Sequence, residues 1–425
     1  MRPLRTFAGI LAVLLALVGL VAPGLAAPPR PSVVEETAIT SSGTHKLPTV
    51  VTSNSQVHVA WSDTDAANFA ERPEESGQFN ATRLGSNGGN GTFFNAAVAA
   101  GSDGTLHYAW IDGGRTIRHR SRAPGQGWSG DHIVASGQNF ANALALTVEG
   151  SGNVFAAWRD GEGQLTFAYS DSAGNNWPVV RSIPMPELSY AGTPRLAPGA
   201  GAVYMTWTGR DSGNIFVGQW NGNNFAVGAV TSGRNDYFNP TIAVGRDGRV
   251  VVAFRSVSAG VFYAERQSGG GWQVTQVVSS STVAGPVAVV LDSLNNIHLA
   301  WSNEIGGQRN VWYALKTPTE AFSEPVVVST AGSGYQLNVD LAVSVQSGYV
   351  LAHVVWESFV GGQFIRYARV KTDVGAPPTP VPPTPVPPTP TCVPVPTPTA
   401  GPTGPSAPRS NAVYLPLVRN APAGC

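Results

Sequence analysis

Val57-His58-Val59-Ala60-Trp61, Leu106-His107-Tyr108-Ala109-Trp110, Val154-Phe155-Ala156-Ala157-Trp158 and Ile297-His298-Leu299-Ala300-Trp301 are four copies of one phrase. In each, an apolar run ends on a small residue followed by tryptophan. Trp207, Phe254 and Trp356 extend the series, and the seven anchors are 49, 48, 49, 47, 47 and 55 residues apart. A second aromatic series, Phe79, Trp128, Trp177, Phe225, Trp272 and Phe322, runs out of phase with the first at intervals of 49, 49, 48, 47 and 50. Two registers with one period mark a repeat protein.

Each period resolves into four short strands. In the fifth, Pro240 to Val244 is followed by a Gly-Arg-Asp-Gly turn at 245–248, then by Arg249 to Phe254, Val261 to Arg266 and, after a glycine turn, Trp272 to Ser279. β-branched and aromatic runs between Gly and Asp turns read as strands. No stretch of 28–372 has helical periodicity. Four strands per period of this length predict an all-β fold, a seven-bladed β-propeller over 33–372. There are seven anchors but six members of the second series, so the seventh blade lacks its outer strand. Val33 to Ile39, ahead of the first blade, is expected to supply it and close the ring. Closure removes the unpaired strand edges of a linear stack.

The flanks have other characters. Residues 1–26 read as a secretory signal peptide: Arg2 and Arg5, an uncharged apolar run from Phe7 to Val21, then small residues at Leu25-Ala26-Ala27. From Asp373 onward, 17 of the 34 prolines occur, and 373–411 reads as an extended Pro/Thr-rich linker. The segment 412–425 regains apolar character and is read as a surface-retention element. Cys392 and Cys425 both lie in this tail, so they cannot staple the core. The expected location is secreted or at the cell surface, with no transmembrane helix after signal cleavage.

Composition narrows the function. The chain is 12% charged, against about 25% in an average domain, with 26 basic and 26 acidic residues. That balance gives no electrostatic basis for binding nucleic acid or an anionic membrane. No HExxH, P-loop or GxSxG motif occurs, so no metal, cofactor or catalytic residue is assigned. His58, His107, His298 and His353 share one register, three residues before the anchor, but equivalent positions in different blades radiate apart. They are read as structural. Asn95, Asn142, Asn239 and Asn338 precede the innermost strands and are expected to make a repeated structural hydrogen bond.

The turn before each second-series aromatic resembles the Asp box, S-x-D-x-G-x-x-W, of the sialidase and BNR-repeat propellers. Ser170 to Trp177 keeps the Ser, Gly and Trp, with Ser172 where Asp belongs. The resemblance implies the propeller fold, with the Asp boxes on the face away from the active site. It also implies that a sialidase would need an arginine trio, a Tyr–Glu pair and an acidic Asp. Lys46-Leu47-Pro48 stands where that family has an R-I-P motif, and a lysine cannot grip a carboxylate through two parallel donors. Arg159, Arg210 and Arg255, from successive blades, are the trio to examine.

Ligand-binding candidates lie on the face built by the second-to-third-strand loops and the loops between blades. The first kind contributes Asp63, Asp112, Arg159, Asp160, Arg210, Asp211, Arg255 and Asn303. The second contributes Tyr190, Tyr237 and Tyr335. Carboxylates, amides and aromatic rings suit sugars, which stack their C–H faces and hydrogen-bond through hydroxyls. Any single Asp here is equally a turn cap. The sequence thus predicts a monomeric binding propeller for a glycan or a surface protein, with a secreted, sialidase-like glycoside hydrolase as the alternative.

Overall fold

A computed structural model describes residues 30–86, 96–189, 194–199, 201–305, 307–329 and 334–374. Residues 1–29, which include the expected signal peptide, the proline-rich tail with both cysteines, Tyr190 and Asn95 lie outside these. The described residues contain 28 strands and no helix. They form seven four-stranded antiparallel sheets. Blade one comprises Lys46–Ser53, Gln56–Ser62, Ala66–Pro73 and Asn80–Ser86. Blades two to six follow in the same meander order over 96–135, 142–182, 195–229, 237–279 and 283–327.

Blade seven takes three strands from 336–373 and its outer strand from Ser32–Ala38. That N-terminal strand pairs antiparallel with Phe364–Asp373, from Ser32 opposite Lys371 to Ala38 opposite Arg366. The ring therefore closes as the sequence count requires. Ser32 and the chain's exit at Val374, whose amide donates to the Gly348 carbonyl at 3.1 Å, share one face. This hairpin face carries the turns between first and second strands. The opposite, loop face carries the second-to-third-strand loops and the inter-blade loops.

The anchors explain the repeat. Trp110 packs on Ala60, Ala67 and Phe69 of blade one. Trp158 packs on Ala97, Ile111 and Ile117 of blade two, and Trp356 on Ala300, Val311 and Tyr313 of blade six. Trp61 packs backward across the seam onto Val355, Ile365 and Tyr367 of blade seven. Each blade thus buries its anchor against its predecessor. The small residue before six of the seven anchors lets the sheets approach; Val355 precedes Trp356. Truncating such a side chain typically costs about 3–5 kcal/mol.

The second series staples the same seams further out. Trp128 sits 5.1 Å from Phe69, Phe225 5.2 Å from Phe167, Phe322 5.5 Å from Tyr263 and Phe79 5.1 Å from Tyr367, each edge to face. Every partner is a third-strand aromatic of the preceding blade. Trp177 meets His119 instead, at 5.3 Å. Between blades six and seven, where no second-series residue exists, Val33 of the closing strand joins the cluster around Tyr313 and Trp356.

Two local features differ in kind from the expected hydrogen bonds. The innermost strands begin with a bulge, seen as register shifts in blades one, three, five, six and seven. The left-handed residue there is Leu47, Ala143, Asn239, Gly285 or Asn338. Asparagine recurs because it tolerates positive φ, not because of a shared hydrogen bond; Asn142 stands one residue before the left-handed position. The turn at 170–177 is locally self-sufficient: Ser170 Oγ accepts from the Gly174 amide at 3.0 Å, Ser172 Oγ from the Asn176 amide at 2.9 Å, and Trp177 Nε1 donates to the Gly174 carbonyl at 3.0 Å. A Cβ on Gly174 would collide with the His119 ring, so glycine is required.

The aligned histidines stay within their own blades. His107 Nδ1 lies 3.1 Å from His119 Nε2, His298 binds Tyr313 Oη at 2.6 Å and Asp292 at 3.0 Å, and His353 binds Tyr367 Oη at 2.8 Å. Among the described residues no three His, Cys, Asp or Glu side chains gather as a metal site would need.

Candidate functional site

Turn geometry holds most loop-face acids. Asp160 Oδ1 accepts the amides of Glu162, Gly163 and Gln164 at 2.9, 2.8 and 2.8 Å. Asp63 is bonded to His45 and to Asn68 Nδ2, the latter at 2.8 Å, and Asp112 accepts from Arg118 Nε at 2.8 Å. Asn303 Oδ1 is taken by the Ser280 and Thr282 hydroxyls at 2.8 and 2.7 Å. These four are structural caps and clips. Asp211 is exposed, and its amide donates to Glu187 at 2.8 Å.

The aromatic candidates divide. Tyr237 packs its ring 4.8 Å from Phe254 of its own blade five and is half-buried against the seam with blade four. Tyr335 is 60% exposed, with the Arg309 guanidinium 5.0 Å from its ring centroid. Phe359 stands beside it, its amide donating to the Tyr335 carbonyl at 2.9 Å. Tyr190 lies outside the described residues.

The arginine trio does not assemble. Arg255 packs 5.5 Å from the Phe238 ring centroid and donates to the Val283 carbonyl at 3.1 Å. Arg159 and Arg210 instead converge on the Gly163–Ser189 backbone. Arg159 donates to Ser189 O at 3.5 Å and Asp160 O at 3.1 Å. Arg210 Nη2 donates to the Glu162 carbonyl.

Sequence reasoning missed Glu187, Arg309, Phe359 and a pair on the inner strands. Burial pushes the Glu187 carboxyl up, but hydrogen bonds from Ser212 and Asp211 outweigh this and hold it below the usual range. Arg195 and Asp340 occupy one register of the ring, each opposite the residue preceding an anchor, where blades two, three and six carry Ala97, Ala145 and Ala288. Burial lowers the Arg195 pKa and raises that of Asp340, each charge favouring the ionised form of the other. Asp340 Oδ2 also accepts the Val50 amide at 2.9 Å. A charge in a row of alanines was visible in the sequence once the repeats were aligned.

The axis is apolar. A cavity of about 670 Å³ opens among the hairpin turns, with lining residues from all seven blades. A second, of about 350 Å³, follows it along Val98, Leu146, Leu196, Ile242 and Val289. The wider cavity also carries Thr52, Ser102, Arg246, Asp292 and Ser293 at its rim, whereas the narrower one is walled mainly by aliphatic side chains.

The described fold defines the class: a closed seven-bladed propeller of four-stranded blades. No family model and no curated protein matches the chain. Among solved structures it is similar to a PL25 polysaccharide lyase, an ulvan lyase, at a TM-score of 0.58 and 10% identity over 78% of this chain and 95% of that one. It is similar to a protein of unknown function from Dyadobacter fermentans DSM 18053 at a TM-score of 0.52 and 12% identity, covering 80% and 99%. A triple arginine-to-alanine variant of AofleA from Arthrobotrys oligospora gives 0.50 and 11%, covering 71% and 90%. At these identities the likeness is one of fold.

Proposed function

We propose that this protein is a secreted or surface-displayed binding propeller that takes a glycan or protein ligand on its loop face. The observation that carries the reading is the distribution of exposed large apolar side chains. Among the described residues Phe140, Leu188, Val257, Tyr335 and Phe359 lie on loop-face segments, and the remaining five lie on outer strands. None of them lies in a hairpin turn. Exposed aromatics beside guanidinium groups are binding surfaces for sugars and for protein partners alike.

The domain order fits this role: a signal segment at 1–26, the propeller at 33–372, a proline linker at 373–411 and an apolar end at 412–425. One structural neighbour is an ulvan lyase solved bound to a disaccharide of glucuronate and sulfated rhamnose, which makes a carbohydrate ligand the first to test. A glycan array and a panel of fluorogenic glycosides, run on the protein and on Tyr335→Ala, test the reading. Array binding without turnover, weakened about tenfold in the variant, is expected. Turnover would favour the hydrolase, and a blank array would leave a protein partner as the ligand.

A further inference from the structure

Arg159 ends the second strand of blade three, and Arg210 follows that of blade four. Their guanidinium groups meet over one piece of backbone. A Cβ on Gly163 would overlap Arg210 Nη2 and lie 2.8 Å from the Ser189 carbonyl oxygen, the oxygen that Arg159 Nε approaches at 3.5 Å. The acceptors that hold both side chains are main-chain carbonyls of Ser189, Asp160 and Glu162.

The neighbouring carboxylates are committed elsewhere. Asp160 is occupied by three amides. Glu187 is occupied by the Asp211 and Ser212 amides and the Ser212 hydroxyl. Among the described residues neither Arg159 nor Arg210 forms an ion pair, whereas Arg72, Arg83, Arg118, Arg120, Arg122, Arg249, Arg309, Arg366 and Arg369 each have one. Burial, and then the charge of Arg210, pull the Arg159 pKa down. The Asp160 charge offsets this only in part, and two like charges held together favour an entering anion. Beside them Phe140 presents a ring 63% exposed, its Cβ 3.4 Å from where a Gly161 side chain would begin.

We propose that the Arg159–Arg210 pair is a subsite for an anionic substituent, a carboxylate or sulfate ester, on a sugar whose ring lies against Phe140, so that the ligand is an acidic glycan. The inference rests on the loop-face reading and names its ligand class. Guanidinium forks suit a planar carboxylate or a sulfate edge through parallel donors, which lysine does not supply. The face of an aromatic ring takes the sugar's C–H side.

The test uses the whole protein and three hexasaccharides of matched length: an oligoglucuronate, a sulfated heparin fragment and neutral cellohexaose. Calorimetric titration is expected to show about tenfold or greater preference for an acidic arm, and Arg159→Ala and Arg210→Ala should each remove about tenfold of it. Arg210→Lys should recover only part. Gly163→Ala, which displaces Arg210, should act in the same direction, with melting temperature recorded for every variant. The two acidic arms separate carboxylate from sulfate. If cellohexaose binds equally well and Phe140→Ala abolishes binding while the arginine variants do not, the acidic-ligand inference is wrong and the loop-face reading stands. If none of the three binds, the carbohydrate reading itself falls.

Discussion

His107 and His119 lie stacked and buried, ring centroids 5.3 Å apart. Burial holds His107 near a pKa of about 4; burial, then the charges of His107 and His132, hold His119 near about 3. Unfolded, each returns to about 6.5. The folded values are depressed, so stability is fully present above pH 6.5 and is lost as pH falls toward 4, where the unfolded chain binds protons the folded chain refuses. A histidine shifted this far contributes roughly 3 kcal/mol. Calorimetric melting temperatures should therefore be level near neutrality and fall steadily from pH 6.5 to 4. Blade three shows how to remove the effect, because it carries Phe155 and Phe167 at the same two positions. The double variant His107→Phe/His119→Phe should flatten part of that fall, and an unchanged slope would show that the pair does not govern it. The aromatic ring of the third strand, Phe69, Phe167, Tyr263, Tyr313 and Tyr367, escaped the sequence reading. Its distance from the anchor varies with loop length, so it has no fixed period.

The strand Ser32–Ala38 is an element whose worth comes from charge as well as pairing. Arg72 is 1% exposed, with the Glu35 carboxylate at 2.6 and 3.0 Å and the Phe79 and Tyr367 rings 5.4 and 5.0 Å away. Glu36 pairs with Arg366 at 3.3 Å, and Glu35 lies 3.6 Å from Arg369. Starting the chain at Thr44 would strip these partners and leave the edge of Phe364–Asp373 open. Analytical ultracentrifugation and thermal melts of that truncation should show unfolding or oligomers; a monomer with unaltered melting would refute the role of this strand as closure. Glu35→Ala alone buries an unpaired guanidinium and should cost about 3–5 kcal/mol in chemical denaturation. The existence of this closing strand was legible because anchors and second-series aromatics could be counted against each other. The two charges it delivers were not, because pairing partners 37 and 330 residues apart have no sequence signal.

At the scale of the molecule, the period of the tryptophans fixed the number of blades, and alternating patterning fixed the strands. The candidate site was legible only as a face. Acids and amides such as Asp160 and Asn303 look alike in sequence whether they cap a turn or meet a ligand, and only their hydrogen bonds separate the two. Arg255 looked equivalent to its neighbours in the repeat, yet Phe238 claims it. Across the ring, Asp340→Ala should cost about 1–3 kcal/mol by freeing the Val50 amide, and Arg195→Ala/Asp340→Ala should cost less than the sum of the single variants if the two charges favour one another. A double-mutant cycle in urea measures this.

The chain enters and leaves the propeller beside Gly348, on the side of the disc away from Tyr335 and Phe140. A partner fused directly at Val374 would start from that rear side. Of the three lysines, Lys371 is on this rear side, whereas Lys46 stands at the front edge of blade one. Coupling through a tag placed directly after Val374 should consequently preserve the affinity measured free in solution, and random amine coupling should blind a fraction of the molecules.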